Sequence, residues 1–80
     1  MLDELKTQRK VVGIKQLRKS LKDGQISHAF VAENADPRLT EPLAAECWES
    51  GVALTMVPTM AELGQACGIS VGAAAAGILI

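Results

Sequence analysis

The chain has 80 residues, room for one domain and no second core, and 49% of them belong to the apolar set that builds interiors. One Trp, one Phe and no Tyr leave the core to aliphatic and Ala packing, and argue against the single-strand RNA-binding architecture that stacks bases on strand-borne aromatic rings. A formal net charge of −1 argues against a polycation that coats nucleic acid along its length.

In chain order, residues 2–10 suggest a short helix, and Val11-Val12 a brief extended segment ending at Gly13. Residues 14–23 form the next helix, because Ile14, Leu17 and Leu21 recur at i, i+3 and i+7. Lys15, Arg18, Lys19 and Lys22 make a basic stripe beside that apolar row, and Gly24 stops the helix. Ile26–Ala32 reads as a strand with Phe30 and Val31 at its centre, closed by the polar loop Glu33-Asn34-Ala35.

Asp36-Pro37 opens the following helix, since Asp accepts from free first-turn amides and Pro loses no partner at the first helical position. Leu39, Leu43 and Cys47 recur every four residues along it, with Ala44 and Trp48 beside them, to about Ser50, and Gly51 ends it. Ala53–Val57 is the next strand. Pro58-Thr59 leads into a helix whose apolar face is Met60, Leu63 and Cys67 and which Gly68 ends. After a loop over Ile69–Gly72, Ala73–Ile80 has no polar residue and reads as a central strand covered on both faces. The alternation predicts an α/β domain over residues 1–80, a three-layer α/β/α sandwich around a mixed sheet of about four strands.

Seven of the eight basic residues, Lys6, Arg9, Lys10, Lys15, Arg18, Lys19 and Lys22, fall within the first 22 positions, and the eighth is Arg38. That placement fits a local polyanion contact. It also fits the solvated faces of two amphipathic helices, and charge alone leaves both open. Cys47 and Cys67 lack the close pairing of a zinc site and read as reduced core residues. A charged N-terminus without a secretory pattern, and an apolar tail of half the length a membrane span needs, predict a cytoplasmic protein that engages no membrane.

Catalytic chemistry has little to stand on. His28 is the only histidine and lies within a strand, where a hydrogen-bonded structural role outweighs that of a base or ligand. Glu46 and Glu49, at i and i+3, read as a solvated helix surface, and the serines have no evident base partner. Gly64, Gly68 and Gly72 lack the ending of a phosphate loop and are explained by helix stops and close packing. No catalytic residue, metal or cofactor is expected.

The sharper signal is Gly13-Ile14-Lys15-Gln16-Leu17-Arg18-Lys19. Gly13 permits a tight turn into the helix and close approach of a ligand, and the first-turn amides offer an anion site. Lys15 and Gln16 sit on that turn, with Lys19 one turn on. Gln both donates and accepts at purine edges, whereas Lys adds donors and charge.

This segment, then Ala32-Glu33-Asn34-Ala35-Asp36-Pro37, and last the run from Met56 to Ala74 that includes Gly64-Gln65-Ala66-Cys67-Gly68-Ile69-Ser70-Val71-Gly72, together resemble one family. It is that of the kink-turn-binding ribosomal proteins of the large-subunit "seven-Ae" and "thirty-e" type, with their short bacterial relatives of the YbxF type. The resemblance runs from about Lys10 to Ile80, and the three blocks in order carry it. It implies a domain that grips a kink-turn, a sharply bent RNA helix with a three-nucleotide bulge beside sheared G·A pairs. Positions matching Gly13, Lys15, Gln16 and Lys19 would then enter the widened major groove, with Arg18 adding to the backbone contact. The loop matching Ile69-Ser70-Val71 would cover the extruded bases, and Ala73 and Ala74 would keep that surface flat. Archaeal and eukaryotic members usually have Asn-Glu where this chain has Lys15-Gln16, the pair expected of the bacterial branch.

The expected partner is thus structured RNA containing a kink-turn, in ribosomal RNA, a riboswitch or another non-coding RNA, bound by a monomer without enzymatic turnover; DNA is not expected. Two rivals stand beside it. One is a protein-interaction or regulatory module on the same fold, and the other a small enzyme or anion-binding domain using the helix start at Gly13.

Overall fold

The computed structural model describes Leu5 and residues 9–80. Most of the helix expected over residues 2–10 lies outside the described residues. Leu5 is helical and buried, whereas Arg9 is not helical and Lys10 already begins a strand. The described elements are β1 (Lys10–Val12), α1 (Ile14–Lys22), β2 (Ile26–Ala32), α2 (Pro37–Ser50), β3 (Ala53–Val57), α3 (Met60–Ala66) and β4 (Ala75–Leu79).

The strands form one mixed sheet in the order β1-β4-β2-β3. β4 runs antiparallel to both β1 and β2, while β2 and β3 are parallel, as the helical crossover α2 between them requires. Leu17, Leu21, Ala29, Val31, Leu43, Cys47 and Ala75 pack under α1 and α2 on one face. On the other face Leu5, Phe30, Val57, Leu63, Ala66, Cys67, Ala76 and Ile78 pack around α3. The architecture is the expected α/β/α sandwich, and β4 is central and buried, with Ala75 and Ala76 at 0% exposure. Gly77 lets α1 lie close on the sheet, because a Cβ on it would force the Leu17 Cδ1 atom to shift.

Helix starts follow local chemistry. The Asp36 carboxylate accepts from the Arg38 amide at 2.9 Å, Pro37 takes the first helical position, and the Thr59 hydroxyl accepts from the Glu62 amide at 3.1 Å. Each satisfies a donor that the helix cannot. Gly24, Gly51 and Gly68 follow the three helices with positive φ.

Three details depart from the pattern. β4 is shorter than Ala73–Ile80, because the Ala73 amide turns aside to donate to the Met60 carbonyl at 3.0 Å. Pro42 lies inside α2, where it removes one helical hydrogen bond. Only Leu43 and Cys47 of α2 are buried; Leu39 is 51% and Trp48 87% exposed. Trp48 follows Cys47 by one residue, about 100° round the helix, and that rotation carries the indole off the buried stripe.

Candidate nucleic-acid interface

The strand directions decide what meets at one end of the sheet. Because β4 opposes β1, β2 and β3, its start lies beside their ends. The turn at Gly13, the loop 33–36, Pro58-Thr59 and the loop 67–74 therefore gather along one rim. Hydrogen bonds tie them together. The Gly13 amide donates to the Ala75 carbonyl at 2.8 Å, Ala32 to Ala74 at 2.9 Å, and Glu33 to Val57 at 2.8 Å. The Asn34 side-chain oxygen accepts from the Met60 amide at 2.8 Å, which latches the loop after β2 to the start of α3.

At this rim α1 differs from its neighbours. Its cap position is Gly13, at φ 104 and ψ 151, with no side-chain cap hydrogen bond. A Cβ is strained at that φ. The first-turn amides of α1 thus face outward without a capping oxygen, a geometry suited to an anion or base edge. Lys15, Gln16, Arg18 and Lys19 are all exposed on the same helix, while Leu17 and Leu21 anchor it to the sheet. Lys15 and Lys19 share one side by their i, i+4 spacing, and Gln16 stands on the adjoining side nearer Ser20.

The expected loop sits alongside. Ile69 is half-buried, Ser70 exposed, and Val71 68% exposed. An apolar side chain is thus held far out in a braced loop. The brace is Gly64: a Cβ there would occupy the place of the Val71 carbonyl oxygen, so only Gly lets the loop lie on α3. The Ile69 amide donates to the Gly64 carbonyl at 3.1 Å, and a Cβ built on Gly72 would lie 3.1 Å from the Met60 Cβ. Of the two alanines assigned to the flat surface, Ala73 is buried in the core beneath the loop and Ala74 is half-buried.

Arg18 has a partner that its sequence neighbourhood does not reveal. Its Nε donates to both Glu46 oxygens at 3.0 Å, and its Nη2 lies 2.8 Å from Oε1. The guanidinium holds the Glu46 carboxyl below its ordinary value by hydrogen bonding and then by charge, with Lys22 adding a smaller pull in the same direction. Arg38 likewise folds back onto Asp36, with Nη2 2.8 Å from Oδ2; that hydrogen bond first, and the Arg38 amide second, lower the Asp36 carboxyl. Two of the eight basic side chains are thereby neutralised by carboxylates. Lys15, Lys19 and Lys22 have no ion-pair partner among the described residues.

The remaining candidates for chemistry are structural. His28 Nε2 lies 2.7 Å from the Thr55 hydroxyl, and the ring lies 4.7 Å from that of Phe30. Cys47 and Cys67 are free and buried on opposite faces of the sheet, and burial pushes both thiols up from their ordinary values. Among the described residues no group of three His, Cys, Asp or Glu could hold a metal, and no helix is long and apolar enough to cross a membrane.

Lys22 and Asn34 lie outside the set of residues expected to contact RNA. Lys22 continues the Lys15-Lys19 row at i+7, a signal present in the sequence. The Asn34 latch spans to Met60, and nothing near Asn34 in the chain announces it.

Residues 2–80 match the family described as "Ribosomal protein L7Ae/L30e/S12e/Gadd45 family". An RNA-binding protein YbxF from Geobacillus stearothermophilus is 45% identical over 69 residues, covering 86% of this chain and 84% of its own. An RNA-binding protein from Bacillus pumilus is 43% identical over 70 residues, covering 88% and 85%. Among solved structures, the Giardia lamblia 15.5kD RNA binding protein superposes with a TM-score of 0.91 at 26% identity, covering 99% of this chain and 70% of its own. A Bacillus halodurans protein of unknown function, 20% identical with a TM-score of 0.86, covering 96% of this chain and 81% of its own, shares the fold.

Proposed function

The chain belongs to the L7Ae/L30e/S12e/Gadd45 family of ribosomal proteins, and from that premise we propose that it binds structured RNA and recognises the kink-turn. It is a binding protein rather than an enzyme, in keeping with relatives named for RNA binding. The observation that carries the kink-turn reading is the rim itself: an uncapped, basic helix start at Gly13 beside a braced loop that holds Val71 outward.

Each part has a role in that mechanism. Free kink-turn RNA interconverts between an open bulged helix and the tight bend, and a protein that contacts only the bent form shifts the equilibrium toward it. Lys15 and Lys19 contribute the backbone attraction, with Arg18 beside them; Gln16 reads the sheared G·A edges; Ile69, Ser70 and Val71 cover the bulge bases, over Ala73 and Ala74. The chain acts as a single domain over residues 1–80, a monomer in the cytoplasm, on ribosomal RNA, a riboswitch or another non-coding RNA.

A gel-shift comparison tests this. A kink-turn RNA should bind at least tenfold more tightly than the same RNA with its G·A pairs made Watson–Crick. Equal binding would sink the reading, because electrostatic attraction alone does not distinguish the two.

A further inference from the structure

We propose that the groove between α1 and the first turn of α2 receives the phosphate backbone of a helical stem flanking the bend, with Lys22 as its outermost contact; this rests on the kink-turn reading above. The groove has a volume of about 580 Å³ and is lined by Lys15, Arg18, Lys19 and Lys22, with Ile14 and Leu39 completing it. It continues directly from the helix start at Gly13, so an RNA strand engaged there has a path along α1.

The charge arrangement selects the occupant. Lys15, Lys19 and Lys22 follow at i, i+4 and i+7 and stack in one row. At 1.5 Å per residue the row is about 10.5 Å long, so its charges are spread along a line rather than gathered at one point. Charges spread along one side of a helix match an extended polyanion better than one small anion. Leu39, half-exposed beside them, suits the apolar face of a ribose between phosphates.

Glu46 sets the strength of this contact. By holding Arg18 in a two-oxygen ion pair and standing within the field of Lys22, its carboxylate offsets one cation of the groove lining and places an anion beside the lysine row. Loss of Lys22 and loss of the Glu46 charge must therefore act in opposite directions.

The experiment measures affinity against salt concentration, by fluorescence anisotropy, for wild type, Lys22→Ala and Glu46→Gln on a kink-turn RNA with long flanking stems. Lys22→Ala is expected to weaken binding about 3- to 10-fold at low salt and to flatten the log–log salt slope by about 1. Glu46→Gln is expected to tighten binding and steepen the slope by a similar amount. Discrimination against the Watson–Crick control should stay at the wild-type ratio in both, and both effects should vanish when the flanking stems are cut to a few base pairs. Circular dichroism confirms that the variants are folded. If both variants match wild type on the long-stemmed RNA while wild type still prefers the kink-turn, the groove proposal is overturned and the kink-turn reading stands. If wild type shows no preference, the kink-turn reading itself fails and the proposal falls with it.

Discussion

Gln16 stands exposed on the first turn of α1, beside amides that no side chain caps. Its side chain both donates and accepts, so it can meet a guanine edge and the adenine across a sheared pair. A carboxylate at that position would form stronger, charge-assisted bonds to guanine donors; the amide gives up some of that strength. Replacing Gln16 by Ala should therefore cost about 1–3 kcal/mol of discrimination, the size of one good base contact. In a titration, the ratio of kink-turn to Watson–Crick affinity should fall while affinity for the control RNA holds. An equal loss on both RNAs would show that Gln16 reads no base. At Arg18, by contrast, residue type misleads: the side chain is basic and exposed, yet it is already engaged by Glu46.

At the scale of elements, α3 and the loop that follows it form one unit. Gly64 admits the Val71 carbonyl, the Met60 carbonyl accepts from the Ala73 amide, and Asn34 holds the start of α3 to the loop after β2. A Cβ at Gly64 would meet backbone rather than a flexible side-chain end, so the loop must shift as a whole. Gly64→Ala is expected to lower the Tm and, in the folded fraction, to abolish most kink-turn preference while leaving salt-dependent binding to duplex RNA, which uses α1. Binding measured below the midpoint checks this. A variant with a lowered Tm and unchanged preference would separate the loop from recognition. The alternation of Gly residues through this segment was legible as close packing, but which Gly meets which backbone atom depends on how α3 lies on the sheet.

At the scale of the whole molecule, the sheet separates two cores, and Cys47 and Cys67 fall on opposite sides of it. No disulfide can join them without unfolding, and burial pushes both thiols up from their ordinary values, which disfavours the reactive thiolate. Native protein should thus react with neither equivalent of a thiol reagent on the time scale in which denatured protein reacts with two; rapid native labelling of either would contradict the buried placement. Much of this molecule was readable from the chain. Hydrophobic spacing, the cap at Asp36, and glycines after the helices are decided within a few residues, so α1, α2, β2 and β3 emerged nearly at their observed bounds. The order of three motif blocks pointed to the family for the same reason, each block being a local pattern. Tertiary structure alone decided the strand order β1-β4-β2-β3, the rim that brings Gly13 to the loop at Val71, the Arg18–Glu46 pair and the outward indole of Trp48. Those depend on contacts between residues remote in sequence, and on which side of a helix meets the sheet, and neither is set by the residues that flank them.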